Sequence, residues 1–171
     1  MNKTPSNSST ELLRRDGKES MLQRTKERIT NSTVMSIARI STRSNITPSQ
    51  AWELGTNVRG AFKHCPVQTH TALMALLKST LDYLDYNKTI RKTEDFIDAV
   101  DYLIVQFPVM KIEEWKIVMT RLKAGHYGKT YERLQLPELV EAFQKYEEDR
   151  AIMIEKNLAR KKDERNGRTN K

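Results

Sequence analysis

The residues best suited to chemistry lie between Lys123 and Arg133, where the chain reads KAGHYGKTYER. Lys123, Tyr127, Lys129, Tyr131 and Arg133 interleave aromatic and cationic side chains. Aromatic faces stack bases and cations hold phosphates, so the cluster suits a single nucleic-acid strand. The bland reading of such tyrosines is that they pack a helix corner. The same stretch contains Gly128-Lys129-Thr130, the end of a phosphate-binding loop. The full motif needs a glycine where Lys123 stands and a strand before it, whereas residues 112–124 have helical period. Nucleotide binding is therefore not expected. Gly125 is expected to end a helix in the left-handed conformation, and Gly128 to permit a tight turn.

A second basic group closes the chain. Arg160, Lys161, Lys162, Arg165 and Arg168 stand in a segment with almost no apolar residues. Such side chains displace the counterions condensed on a phosphate backbone, or else merely keep a tail solvated.

Two further groups invite a metal. His64, Cys65 and His70 are near one another in sequence, but a structural zinc site needs four ligands and His126 is distant. Cys65 lacks a partnered base, so it is expected to be a small, semi-buried residue at a helix junction. Asp95, Asp98 and Asp101 share one helix face, where three carboxylates can hold magnesium. A solvated face opposite the Phe96-Val100-Leu103-Phe107 stripe explains them with fewer assumptions. No metal site, no cofactor and no catalytic residue is expected, and the chain is not expected to be an enzyme.

The elements that must position these residues are helical. Thr47-Pro48-Ser49-Gln50 is a capping box with proline at the first helical position. Pro66 opens a helix in which Leu73, Leu77, Leu81 and Leu84 recur at spacings of three and four. Thr93 is expected to cap the next helix, with Phe96, Ile97, Val100, Leu103, Ile104 and Phe107 on its buried face. Ile112, Trp115, Met119 and Leu122 mark another helix, stopped by Gly125. Pro137 starts a last long helix that runs through Ile154 and Leu158 into the basic end. Residues 11–30 permit a helix interrupted at Gly17, and Val34 to Ile40 a short one. Nothing reads as a strand.

The expected fold is all-α, a compact bundle of about five or six helices with disordered basic tails. Its organisation is a disordered or weakly helical basic tail over 1–30, a helical domain over 31–150 with its core in 46–148, and a basic extension over 151–171. Trp52, Leu77, Phe96, Val100, Phe107, Trp115 and Phe143 should be largely buried.

Composition agrees with a modest core. The chain has 171 residues, 37% of them apolar and 30% charged, with a net charge of +8. The charge is uneven: residues 93–117 carry 2 basic and 6 acidic side chains, residues 150–171 carry 8 and 3. No apolar run is long enough to span a membrane, and the first ten residues have no signal-peptide core. One cysteine points to a reducing, cytoplasmic setting.

The stretch Lys92–Arg150 resembles a family of short helical proteins from phages and mobile elements of Bacteroides-type bacteria. The resemblance is carried by Lys92-Thr93 at a helix start, Ile97 to Phe107, the turn from Lys123 to Tyr131, and Tyr146 to Arg150. It implies an accessory role in DNA replication, with nucleic acid or a replication protein such as a helicase as partner. The alternative is a protein-interaction module, such as a host-enzyme inhibitor or virion component, without DNA affinity. In that case the acidic stretches 93–117 and 135–149 would carry the docking.

Overall fold

A computed structural model describes residues 8–42, 45–84, 88–128 and 133–169. In chain order these form α1 (Ser8–Ser41), α2 (Pro48–Leu54), α3 (Val58–His64), α4 (Pro66–Leu84), β1 (Lys88–Thr89), α5 (Thr93–Gln106), α6 (Ile112–Lys123), β2 (Arg133–Leu134) and α7 (Leu136–Thr169). The fold is all-α. Residues 1–7, for which a disordered tail was expected, lie outside the described residues.

Helix boundaries follow local chemistry. The Thr47 side chain accepts the Gln50 N–H at 3.3 Å while Gln50 Oε1 accepts the Thr47 N–H at 3.0 Å, so the capping box is complete. Asn57 caps α3 by accepting the Gly60 N–H at 3.0 Å. Thr93, expected as a cap, is instead the first helical residue, and Lys92 holds the cap position without a side-chain bond.

Among the described residues there are seven helices, two of the expected segments having merged into one. Residues 8–41 form one helix straight through Gly17, because a single glycine costs a long helix only about 1 kcal/mol. Residues 48–64 divide into α2 and α3 at Gly55-Thr56-Asn57, where the backbone is extended. A Cβ at Gly55 would lie 2.8 Å from Glu113 Oε2, so this connection passes α6 too closely for a side chain.

α6 is the central element. Eight of its 12 residues are buried, among them Ile112, Trp115, Ile117, Val118, Met119 and Leu122, so other elements pack on most of its circumference. α4 packs Leu73, Leu77 and Leu81 on it, and α1 and α2 flank its start. Phe143 of α7 meets Trp115 edge-on at 4.8 Å and Phe107 at 5.2 Å between ring centres. The core takes in Ile40 of α1 together with buried Thr33 and Ser36, so it begins before residue 46.

Two expectations about burial are corrected. Trp52 is only half-buried: Ala51 takes the inward position on α2, and Trp52, one residue on, turns toward α7. Ile97 is exposed in the first turn of α5, although Ile104, seven residues on and on the same side of the helix, is buried. Strand pairing also exists where none was expected. Lys88-Thr89 pairs in parallel with Arg133-Leu134, a two-residue ladder that ties the ends of the α5–α6 unit together and buries Leu134.

Candidate nucleic-acid interface

The turn after α6 has the backbone that its glycines predict. Gly125 has φ +70° and Gly128 φ +105°. The Gly125 and His126 N–H groups return to the Leu122 and Arg121 carbonyls at 3.0 and 2.9 Å, which closes the helix end. Its side chains are arranged less as a stacking platform. Tyr127 is half-buried against the core, and the Lys145 ammonium donates to its carbonyl at 3.3 Å. Burial pushes the Tyr127 phenol up from its ordinary range. Lys123 turns toward the Tyr83 ring, 5.3 Å from its centre. Lys129 and Tyr131 lie outside the described residues, and Arg133 is described only through the β2 backbone. α6 precedes the turn where a phosphate-binding loop would need a strand.

The second basic group is on the continuation of α7. Arg160, Lys161, Lys162 and Arg165 are all exposed on a regular helix whose last turns include Arg168. Consecutive residues are about 100° apart, so Arg160, Lys161 and Lys162 distribute charge round more than half the circumference. This segment is anchored to the body. Asn157 Nδ2 donates to Ser49 Oγ at 2.7 Å, and Lys161 Nζ lies 2.7 Å from Glu53 Oε1 and 5.6 Å from the centre of the Trp52 ring. The Lys161 ammonium holds the Glu53 carboxyl below its ordinary range. Arg160 is 3.7 Å from Glu164, a loose exposed pair.

Between α2 and α7 lies an open cleft of about 490 Å³ that includes Arg121, Arg150 and Lys156. Its two arginines already have partners. Arg121 meets Asp149 at 2.7 Å, and Arg150 Nε donates to Glu114 Oε1 at 2.6 Å.

That last contact belongs to a buried ionic layer that sequence reasoning missed. Glu113 and Glu114, 2% and 0% exposed, lie in the first turn of α6 and meet different partners. Glu113 receives Arg39 of α1 at 3.1 Å and the Thr56 N–H at 3.1 Å. Glu114 receives Arg150 of α7, the Lys111 N–H at 2.7 Å and the Tyr146 hydroxyl at 3.4 Å. Burial, with Glu114 alongside, pushes the Tyr146 phenol far above its ordinary range, so it stays a donor. Two carboxylates in the first turn of α6 thus hold the two long helices, with the helix dipole favouring their charge. Lys116 completes the α1 side by donating to the Arg39 and Thr42 carbonyls. The sequence carries no mark of this, since a carboxylate in a first helical turn reads as a solvated partner of the helix dipole. The acidic stretch 93–117 therefore presents less negative surface than its composition suggests.

The metal candidates do not assemble. Cys65 is buried at the α3–α4 junction, with its sulfur 3.7 Å from Thr30 Oγ1. His70 pairs with Asp101 at 3.1 Å, and Asp95, Asp98 and Asp101 are exposed. Among the described residues no three His, Cys, Asp or Glu side chains converge on a metal-sized space.

No family model, curated protein or solved structure matches this chain. Among the described residues no helix is long and apolar enough to cross a membrane.

Proposed function

We propose that the chain is a non-enzymatic accessory factor that contacts nucleic acid through the C-terminal part of α7. The observation that carries this reading is the exposed helical run Arg160 to Arg165, held at a fixed place by Asn157 on Ser49 and Lys161 on Glu53. Cations on a rigid rod meet phosphates at fixed spacing, and phosphate contacts position a protein without reading sequence. Exposed Arg24, Lys26 and Arg28 on α1 add a second basic segment. Lys123 and the turn residues Tyr127, Lys129, Tyr131 and Arg133 are secondary in this reading, since Tyr127 packs inward. The resemblance over Lys92–Arg150 adds the setting: cytoplasmic DNA replication of a phage or mobile element, with a replication protein such as a helicase as co-partner.

The test is binding of labelled single- and double-stranded DNA at low salt by the full chain and by Arg160→Glu/Lys162→Glu. The reading requires binding by the first and at least a tenfold loss in the second. Absence of binding by the full chain overturns it.

One observation favours the protein-interaction alternative. Val67 on α4 and Tyr102, Val105 and Val109 on and just after α5 are exposed, Val105 at 76%. They flank the His70–Asp101 pair. Apolar side chains grouped beside acidic ones suit a protein surface rather than a phosphate backbone. A nuclease-treated pull-down that retains a partner, lost on Val105→Asp, would favour that reading.

A further inference from the structure

Two helix faces stand uncovered, and they carry opposite charge. On α1, Arg24, Arg28, Asn31 and Met35 are exposed and lie on the side away from the buried Thr33, Ser36 and Ile40. On α5, Glu94, Asp98, Asp101 and Val105 are exposed and lie opposite the buried Phe96, Val100 and Leu103. Each face holds a like-charged pair four residues apart, Arg24 with Arg28 and Glu94 with Asp98, which is unfavourable in an isolated helix. Among the described residues none of these four charges has an ion pair within the chain.

We propose that α1 of a second copy of the chain docks on α5, with the two helices parallel. The occupant follows from the spacing, which is four, three and four residues on both stripes. With Arg24 opposite Glu94, Arg28 meets Asp98, Asn31 meets Asp101 and Met35 meets Val105. His70 takes one Asp101 oxygen at 3.1 Å, and the other is left for the Asn31 amide. Glu27, the one acid between residues 24 and 35, falls toward Tyr102, whose hydroxyl can donate to it, and Ile97 falls toward Ser32. No like charges are directly opposed in this register. An antiparallel copy would instead set Met35 on Glu94 and Arg24 on Val105. The chain's own α1 is not the occupant, because its stripe faces away from the body. A nucleic acid could take the two arginines but would be repelled by the carboxylates of α5. The matched stripes are about 16 Å long, so the interface is small and the association weak. Docking takes Arg24 and Arg28 from phosphate and leaves the basic end of α7 free.

The inference does not rest on nucleic-acid binding and is tested without it, by sedimentation equilibrium of the nuclease-treated full chain. Average mass should rise above that of the monomer between about 10 µM and 1 mM, and less so at high salt. Arg24→Glu/Arg28→Glu and Glu94→Lys/Asp98→Lys should each remain monomeric over that range, with unchanged far-ultraviolet helix content. Mixed in equal amounts, the two double variants should associate again, because both pairings between them then oppose unlike charges. Met35→Asp should abolish association by itself. An original chain that is monomeric at the highest concentration, a double variant that associates as before, or a mixture that stays monomeric would each overturn the proposal. None of these results bears on the phosphate contacts of α7, which Arg160→Glu/Lys162→Glu tests separately.

Discussion

Arg121 and Arg150 border the same cleft but differ in what they leave behind when removed. Arg150 neutralises a carboxylate with no exposure, whereas Asp149, the partner of Arg121, is half-exposed. Stranding a buried charge costs about 3–5 kcal/mol, and an exposed pair contributes about 0–1 kcal/mol. Arg150→Ala should therefore lower the urea midpoint severely, and Arg121→Ala slightly. Equal effects would mean that Glu114 is reached by water. At Gly125 the constraint is conformational: nothing lies within 4 Å of an added Cβ, but φ is +70°. Gly125→Ala should destabilise by about 1 kcal/mol from backbone strain alone. These two positions were not equally legible in the sequence. A glycine that ends a helix announces itself by following the last apolar residue. Glu113 and Glu114 do not, because a carboxylate in a first helical turn reads as a solvated dipole partner until the neighbouring helices are in place.

The long helices were legible in their cores and obscure at their ends. α4 and α5 follow from leucine and aromatic spacing, because one buried face fixes the period. α1 gives almost no such signal: its helicity continues through Gly17, while its packing comes from small polar groups. Ser32 and Ser36 meet the Thr56 hydroxyl at 2.6 and 2.8 Å, contacts that no hydrophobic pattern records. The anchoring of α7 on α2 was equally hidden, since Asn157–Ser49 and Lys161–Glu53 each join residues 108 positions apart. The Lys161–Glu53 contact predicts a pH response. Its carboxyl is held below the ordinary 4.5, so the contact is at full strength above that value and is lost as pH falls through and below it. Glu147, raised by burial, has the opposite sign, so a local probe is needed rather than global stability. The Trp52 indole N–H resonance should shift as pH falls through the Glu53 titration, and Lys161→Met should abolish the shift. A Trp52 signal indifferent to both would mean that the strap does not form in solution.

For the whole molecule, the all-α class was readable because every strong apolar period was helical. The β1–β2 ladder was not, since two residues per strand are too few for any alternation to register. The geometry of the proposed interface divides in the same way. Composition located a basic end, but only the fold makes it a fixed helix beside α2, and only the fold turns Tyr127 away from solvent. The central claim is that this helix neutralises phosphates. Removing residues 159–171 deletes Arg160, Lys161, Lys162, Arg165, Arg168 and Lys171 against Asp163 and Glu164, while leaving the aromatic core and the Arg150–Glu114 pair intact. The melting temperature should change little. The most direct measurement is the slope of log affinity for DNA against log salt, for the full chain and this truncation. Each phosphate contact contributes about 0.7–0.9 to that slope, so losing three should flatten it by about two to three units and weaken unrelated sequences alike. Identical slopes for the two proteins would contradict the account.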